Sequence, residues 1–452
     1  MALRLNTKAT PAARALVAHE PNAAAVERET MKRISLRLIP FLCLAYFLMY
    51  IDRVNVSFAA LQMNEDLGFS SLVYSWGAGI FFIGYFIFEV PSNVAFLRFG
   101  ARRWIGRIMV TWGMLSACMA LVVGPNSFYA LRFTLGVAEA GFFPALLLYL
   151  SFWYPAAYRA RILGGLIVTV PVATIIGAPI SGLLLQLDGL GGLQGWQWLF
   201  IIEGLPTTLL GLVAFFYLTD RPDDAGWLEE PQKAWLRERL LQDEAEHHPS
   251  HMSLMQSLRS PLVLILSIAY FGLVAVLYGL QFWLPQIIRN FGVSETGTGL
   301  VTALPYVCAA VAMVLWSRHS DQNRERVWHI ALPLVLAAIG LVASTMAHSL
   351  TLTMIAISLA AVGVFSALAV FWTLPSMFLT GAAAAGGLAL INSVGNLSGF
   401  GGPYLIGWVS ERTGDPINGL FLLACGPVIS AVIVVMLGQR FARQRTVTDV
   451  SQ

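Results

Sequence analysis

The sequence predicts an all-α membrane protein of twelve transmembrane helices, arranged as two pseudo-symmetric six-helix halves. Three observations carry that prediction. Of 452 residues, 57% are hydrophobic and only 12% charged, where a soluble chain is about a quarter charged. The apolar residues fall into blocks of roughly 20 or more, long enough to cross a hydrocarbon core about 30 Å thick. One long polar stretch, 219–260, divides those blocks six and six. In lipid each crossing must satisfy its own backbone hydrogen bonds, which forces helices.

The blocks read as spans over 36–60, 75–97, 105–123, 128–150, 162–187 and 198–218 in the first half. In the second half they cover 261–288, 297–317, 328–346, 351–378, 383–409 and 418–438. The halves then occupy 34–218 and 261–438, with loose tails at 1–33 and 439–452. Arg4, Lys8, Arg14, Glu20 and Glu27 interrupt the first tail, so it holds no continuous apolar signal segment. Within the linker, Glu230 to Glu246 reads as a short amphipathic helix on the membrane surface. The cluster His247, His248 and His251 raises a metal site, but no carboxylate or cysteine geometry supports it, and a solvated linker is the better reading. The cysteines Cys43, Cys118, Cys308 and Cys425 sit in four different blocks without CxxC spacing, so they read as small buried hydrophobes.

Charge sets the orientation. Of the 28 lysines and arginines, Arg53 and Arg132 lie deep in apolar blocks, Arg289 and Arg412 fall on one side, and the other 24 fall on the opposite side. That side holds both termini and the linker, and the excess of positive charge marks it as cytoplasmic. A weak repeat supports the division: RFGARRWIGR (98–107) follows the second span and SRHSDQNRERVWH (317–329) follows the eighth. Two related halves suggest a transporter with its site between them, near the midplane.

Ionisable residues inside spans cost roughly 2.5–3.5 kcal/mol each on insertion scales and are usually functional. Away from the span ends they are Asp52 and Arg53 in span 1, Glu89 in span 2, Arg132 and Glu139 in span 4, and Glu203 in span 6. Arg132 and Glu139 are seven residues apart, so they share a face about 10.5 Å apart along the helix. Each then needs a partner from another helix, and span 1 offers one acid and one base. Crossed pairing between spans 1 and 4 follows as the expected arrangement. A purely structural salt-bridge network is the poorer reading, because desolvation offsets attraction in buried pairs. Glu89 and Glu203 are weaker candidates, placed to meet an interface or anchor a loop. In the second half Tyr278, Gln281, Trp372, Asn392 and Asn396 supply hydrogen bonds and aromatic contact without charge. No GxxxxGK[ST] stretch exists, so ATP drive is unsupported.

From about residue 30 to 440 the chain resembles the major facilitator superfamily, and within it the anion:cation symporter family, which includes bacterial tartrate, sugar-acid and aromatic-acid carriers. The resemblance rests on YIDRVNVSFAALQMNEDLG, FIGYFIFEVPSNVAFLRFGARRWIGRIMVTWG, LRFTLGVAEAGFFPALLLYLSFWYP, GWQWLFIIEGLP, YGLQFWLPQII and INSVGNLSGFGGP. It implies proton coupling at Asp52 and Glu139, a substrate-facing Arg53, and an Arg132 paired with an acid. It implies that Tyr85, Trp372 and Asn392 line the pocket. It implies gating loops at Gly100, Arg102, Arg103 and Arg107 and, in the second half, at Asp321. Two positions depart from the pattern. Leu97 stands where the first loop has an aspartate, which makes acid-mediated gating one-sided, and span 5 (IVTVPVATIIGAPISG) lacks the polar amide expected of sugar-acid carriers.

The expected activity is therefore proton-coupled symport of a small organic anion by a monomer in a bacterial inner membrane, with no cofactor. Moving one charge against the membrane potential costs about 2.3 kcal/mol per 100 mV, so anion entry needs up to two protons. The alternatives are an anion or organophosphate exchanger, a drug efflux carrier, which GAPISG suggests, and a non-transporting membrane sensor. Span 7 has no lysine or arginine from Leu262 to Ile288 to hold a phosphate ester, and the linker is short for a signalling domain. No nucleophile–base pair or metal set points to an enzyme.

Overall fold

The computed structural model describes residues 11–246, 260–378 and 382–450. The first half comprises α1 (Pro11–Asp66), α2 (Ser71–Phe99), α3 (Ala101–Cys118), α4 (Pro125–Glu139), α5 (Phe142–Trp153), α6 (Ala156–Leu184) and α7 (Gly195–Tyr217). The linker holds α8 (Glu230–Glu246). The second half comprises α9 (Pro261–Arg289), α10 (Glu295–Asn323), α11 (Val327–Thr345), α12 (Leu350–Phe371), α13 (Thr373–Phe378), α14 (Ala382–Thr413), α15 (Gly419–Leu423) and α16 (Cys425–Val450).

Among the described residues, eleven helical stretches are long and apolar enough to cross a membrane. The remaining crossing, eleventh in chain order, is α14, whose 32 residues would reach about 48 Å. Its seven glycines and two asparagines dilute its hydropathy. On α2, Ile87, Val90, Val94 and Leu97 are all more than half exposed and recur at helical spacing. In water such a stripe would drive association; here it is the face for lipid.

Three spans differ from their expected form. The fourth is broken into α4 and α5 at Ala140 and Gly141. Gly141 has φ +82°, and a Cβ there would meet Ser92 Oγ at 2.4 Å. The tenth turns at Trp372 into α13, and the twelfth is divided into α15 and α16. The tails expected to be loose are helical wherever they are described, because α1 begins at Pro11 and α16 runs to Val450. The helix expected in the linker is present as α8, and Glu229, the residue before it, pairs with Arg33 of α1 at 2.8 Å. His247, His248 and His251 lie outside the described residues.

With twelve crossings the two ends of the described chain, in α1 and α16, lie on one face of the bundle, the near face. The halves meet through α2 against α14 and α6 against α10. Small residues let helices approach closely in lipid, where no hydrophobic effect pulls them together. A Cβ on Gly407 would meet Ser75 Oγ at 1.6 Å, and one on Gly299 would meet the Ala178 carbonyl oxygen at 2.5 Å.

On the far face, hydrogen bonds join the two halves. Gln62 Nε2 donates to Glu295 Oε1 at 2.9 Å, Gln186 Nε2 to Thr296 Oγ1 at 2.6 Å, and Tyr74 Oη to the Phe282 carbonyl at 2.7 Å. The hydroxyls of Ser71 and Ser410 lie 3.0 Å apart. These contacts close the far face. Gly407→Val is expected to force α2 and α14 apart there. Disulfide formation between cysteines placed at Ser71 and Ser410 should then fall several-fold; an unchanged yield would show that the contact can give.

Candidate functional site

A cavity of about 90 Å³ lies between the halves. At the roughly 30 Å³ that a water occupies in the liquid it has room for about three waters, or for one compact molecule. From the first half, α1 contributes Tyr46, Met49, Tyr50 and Arg53, and Tyr85 of α2 and Phe143 of α5 close that side. The α1 residues recur every three to four positions, which places them on one helical face. From the second half come Tyr270, Val274, Leu277 and Tyr278 of α9, again one stripe, together with Trp372 and the amides Asn392 and Asn396 of α14. A larger surface hollow of about 480 Å³ lies between α8 and the near-face ends of α5 and α6. There Arg237 pairs with Asp223 and Arg159 donates to two backbone carbonyls. It does not lie between the halves.

Arg53 is the charged group of the cavity wall. One of its Nη atoms pairs with Glu139, and the other donates to Tyr278 Oη at 3.1 Å. Both members of the ion pair are at least 95% buried. The rings of Tyr50, Phe81, Phe82 and Tyr85 lie 5.5–5.9 Å from the guanidinium carbon, close enough for cation–π attraction. Arg53 therefore joins the halves, reaching Glu139 on one side and Tyr278 on the other.

Half of the expected crossed pairing is present. Arg53 pairs with Glu139, but Asp52 does not pair with Arg132. Successive helical residues point about 100° apart, so Asp52 faces away from the cavity into its own half. There it accepts hydrogen bonds from Trp112 Nε1 at 2.9 Å, Ser116 Oγ at 2.9 Å and Thr207 Oγ1 at 2.7 Å. Arg132 is fully buried against α2, where it donates to the carbonyls of Gly77 at 3.1 Å and Ala78 at 3.2 Å. It clamps α4 to α2 and does not reach the cavity, contrary to its expected substrate-binding role.

Gln281 does not line the cavity either. It continues the α9 stripe one turn toward the closed far face, where it is 3% exposed and its amide has no hydrogen-bond partner. Glu89 accepts from Ser393 Oγ at 3.0 Å and from Asn392 Nδ2 at 3.5 Å, so it links the halves on the near side of the cavity. Glu203 accepts from Ser181 Oγ at 2.7 Å deep in the first half rather than at a membrane interface. Tyr85, Tyr278, Trp372 and Asn392 stand in the cavity wall.

The two related loops are anchored within their own halves. Gly100 has φ +85°, and the next turn begins with Arg102 N–H donating to Asp220 Oδ1 at 2.8 Å. An acid from just beyond the sixth span thus caps the start of α3. Arg107 lies over the Trp104 ring at 4.0 Å, and the side chain of Arg103 makes no identified bond. Asp321 pairs with Arg326 at 2.6 Å.

Beside it, Glu325 accepts from the backbone of Trp328 and from both the backbone and the ring of His329. Burial pushes the Glu325 carboxyl up, but these hydrogen bonds outweigh it and hold the group below its ordinary value. A carboxyl lowered by folding contributes stability that is full above about pH 4.3 and is lost as pH falls through the folded value. Glu325→Gln is therefore expected to flatten the fall in melting temperature on acidification; an unchanged acid profile would remove Glu325 from that loss.

Several walls were not singled out from sequence, namely Tyr46, Tyr50, Phe143 and Tyr270. The signal was there for three of them. Tyr46 and Tyr50 lead to Arg53 at helical spacing, and Tyr270 lies two turns before Tyr278.

Residues 42–403 match the family model of the Major Facilitator Superfamily. A putative tartrate transporter of Agrobacterium vitis is 48% identical over 92% of this chain and 96% of its own length. A quinolone resistance transporter of Acinetobacter baumannii is 42% identical over 93% of this chain and 98% of its own. Among solved structures, a bacterial homolog to the human lysosomal transporter Spinster, inward-facing and occupied, aligns with a TM-score of 0.74 at 18% identity, covering 90% of this chain and 97% of that one.

Proposed function

The chain belongs to the Major Facilitator Superfamily, and from that membership and its central site we propose that it is a proton-coupled symporter of a small organic anion. The observation that carries this reading is Arg53, a buried cation in the cavity wall whose one carboxylate partner is Glu139. A carboxylate substrate entering the cavity competes with Glu139 for the guanidinium. If it wins, Glu139 stands in a water-poor site without its cation, and a proton neutralises it. Substrate and proton are then bound together, and neither is bound well alone. Asp52, held by three neutral donors and no cation, is the place for a second proton.

The excess of basic residues on the near face supports a cytoplasmic location for that face, in a bacterial inner membrane. The state seen here is then the one shut to the outside. Cysteines at Ser71 and Ser410, once oxidised to a disulfide, should arrest transport and reduction should restore it; continued transport by the cross-linked protein would exclude far-face opening.

The test of symport is uptake of a labelled carboxylate into proteoliposomes under an imposed inward proton gradient. Accumulation that an uncoupler collapses supports the proposal. Uptake indifferent to both pH and uncoupler would remove proton coupling. A second reading, outward carriage of a drug, is favoured by the quinolone resistance relative. It predicts accumulation under the opposite gradient, in vesicles whose inside is acid.

A further inference from the structure

The walls of the cavity narrow the cargo further than Arg53 alone does. We infer that the anion carried is a flat aromatic monocarboxylate rather than a hydroxy-acid or a dicarboxylate; this rests on the anion-carrier reading above. Three features of the wall point the same way.

The first is charge. Among the described residues Arg53 is the one charged side chain in the wall, so it can meet one carboxylate. A second carboxylate would lie among neutral groups, where an unpaired buried charge is strongly disfavoured.

The second is the supply of hydrogen bonds. The wall's two amides each make one long contact, Asn392 donating to Glu89 and Asn396 accepting from Tyr278 at 3.5 Å, and its other neutral polar tips, four further tyrosine hydroxyls and the Trp372 N–H, are each carried on a ring that also presents an apolar face. The Tyr278 hydroxyl also accepts from Arg53. A polyhydroxy acid brings several donors and acceptors that each need a partner once buried, and an unmet one costs about 1–3 kcal/mol.

The third is the density of rings. Tyr46 stacks on Phe143 with centroids 5.6 Å apart and meets Tyr50 edge-on at 5.2 Å in the first half. In the second half Tyr270 meets Trp372 at 4.9 Å and an interplanar angle of 61°. Rings from both halves border one small cavity, and the remaining wall is mainly aliphatic, with Met49, Val170, Val274 and Leu368 among it. A planar ring bound there touches both halves, while its carboxylate draws Arg53 from Glu139.

The test is stabilisation of the purified full-length protein by a panel of probes at fixed pH. The panel is benzoate, nicotinate, cyclohexanecarboxylate, tartrate, galactonate and benzamide. Benzoate and nicotinate are expected to raise the melting temperature, because a ligand that binds only the folded state stabilises it. Cyclohexanecarboxylate, equal in charge and similar in bulk but without a π face, is expected to bind roughly two- to tenfold more weakly. Trp372→Leu, or Tyr270→Leu if that variant does not fold, should weaken benzoate while leaving cyclohexanecarboxylate within about twofold.

Tartrate or galactonate stabilising more than benzoate would overturn the aromatic assignment and leave the anion carrier standing. Cyclohexanecarboxylate matching benzoate would overturn it as well. Benzamide matching benzoate, or no acid stabilising at all, would overturn the anion reading and this inference with it.

Discussion

Arg53→Ala is expected to abolish carboxylate uptake, lowering it about 100-fold or more. A hydrogen bond to a charged group contributes roughly 1.5–3 kcal/mol, and each 1.4 kcal/mol is tenfold in affinity. The variant also leaves Glu139 buried without its cation, and breaking a buried pair from one side costs about 3–5 kcal/mol. Loss of uptake could then report loss of fold alone. The double variant Arg53→Ala/Glu139→Gln separates the two effects. It should recover most of the lost thermal stability and none of the uptake. Uptake restored together with stability would take Arg53 out of the substrate's path and make the pair a structural one.

Glu139→Gln should uncouple the carrier without closing it. The amide keeps the shape of the carboxyl and an oxygen for Arg53, but it does not exchange a proton. Net accumulation driven by a proton gradient should disappear. Exchange of labelled for unlabelled substrate, which needs no net proton movement, should continue. Its rate should lose the pH dependence of the parent. Failure of both activities would mean that Glu139 is needed to hold the cavity rather than to carry a proton. Asp52→Asn tests the second proton separately. If Asp52 carries it, the proton-to-substrate ratio, read from the gradient that just balances uptake, should halve. An unchanged ratio would leave Asp52 as a structural hub for Trp112, Ser116 and Thr207.

Much of this was legible in the sequence because lipid simplifies the problem. Apolar length alone marks eleven crossings, and the exception, α14, was still found because its polar and glycine residues sit in a run of sufficient length. Charges inside apolar blocks are rare, so Arg53 and Glu139 could be placed near the centre before any contact was known. What sequence could not supply was the side to which each neighbour turns. Asp52 and Arg53 are adjacent in the chain, yet one faces the interior of its half and the other faces the cavity. That separation follows from the helical turn, but the pairing of Asp52 depends on Trp112 and Thr207, which come from helices far along the chain. Arg132 differs from expectation for the related reason that two backbone carbonyls of α2 accept from it in place of an acid, while its other Nη atom stays buried without a partner. Gln281 had the right stripe and the wrong height.

The close glycine contacts have a consequence for redesign. The cavity is walled by large side chains, whereas the surfaces on which the halves close depend on the absence of a side chain at Gly407, Gly399 and Gly299. Cargo choice and motion are therefore written in different residues. A library that varies Tyr46, Tyr270 or Trp372 can change what is carried while the hinge surfaces stay intact. A library that varies those glycines would change the rate for every cargo alike.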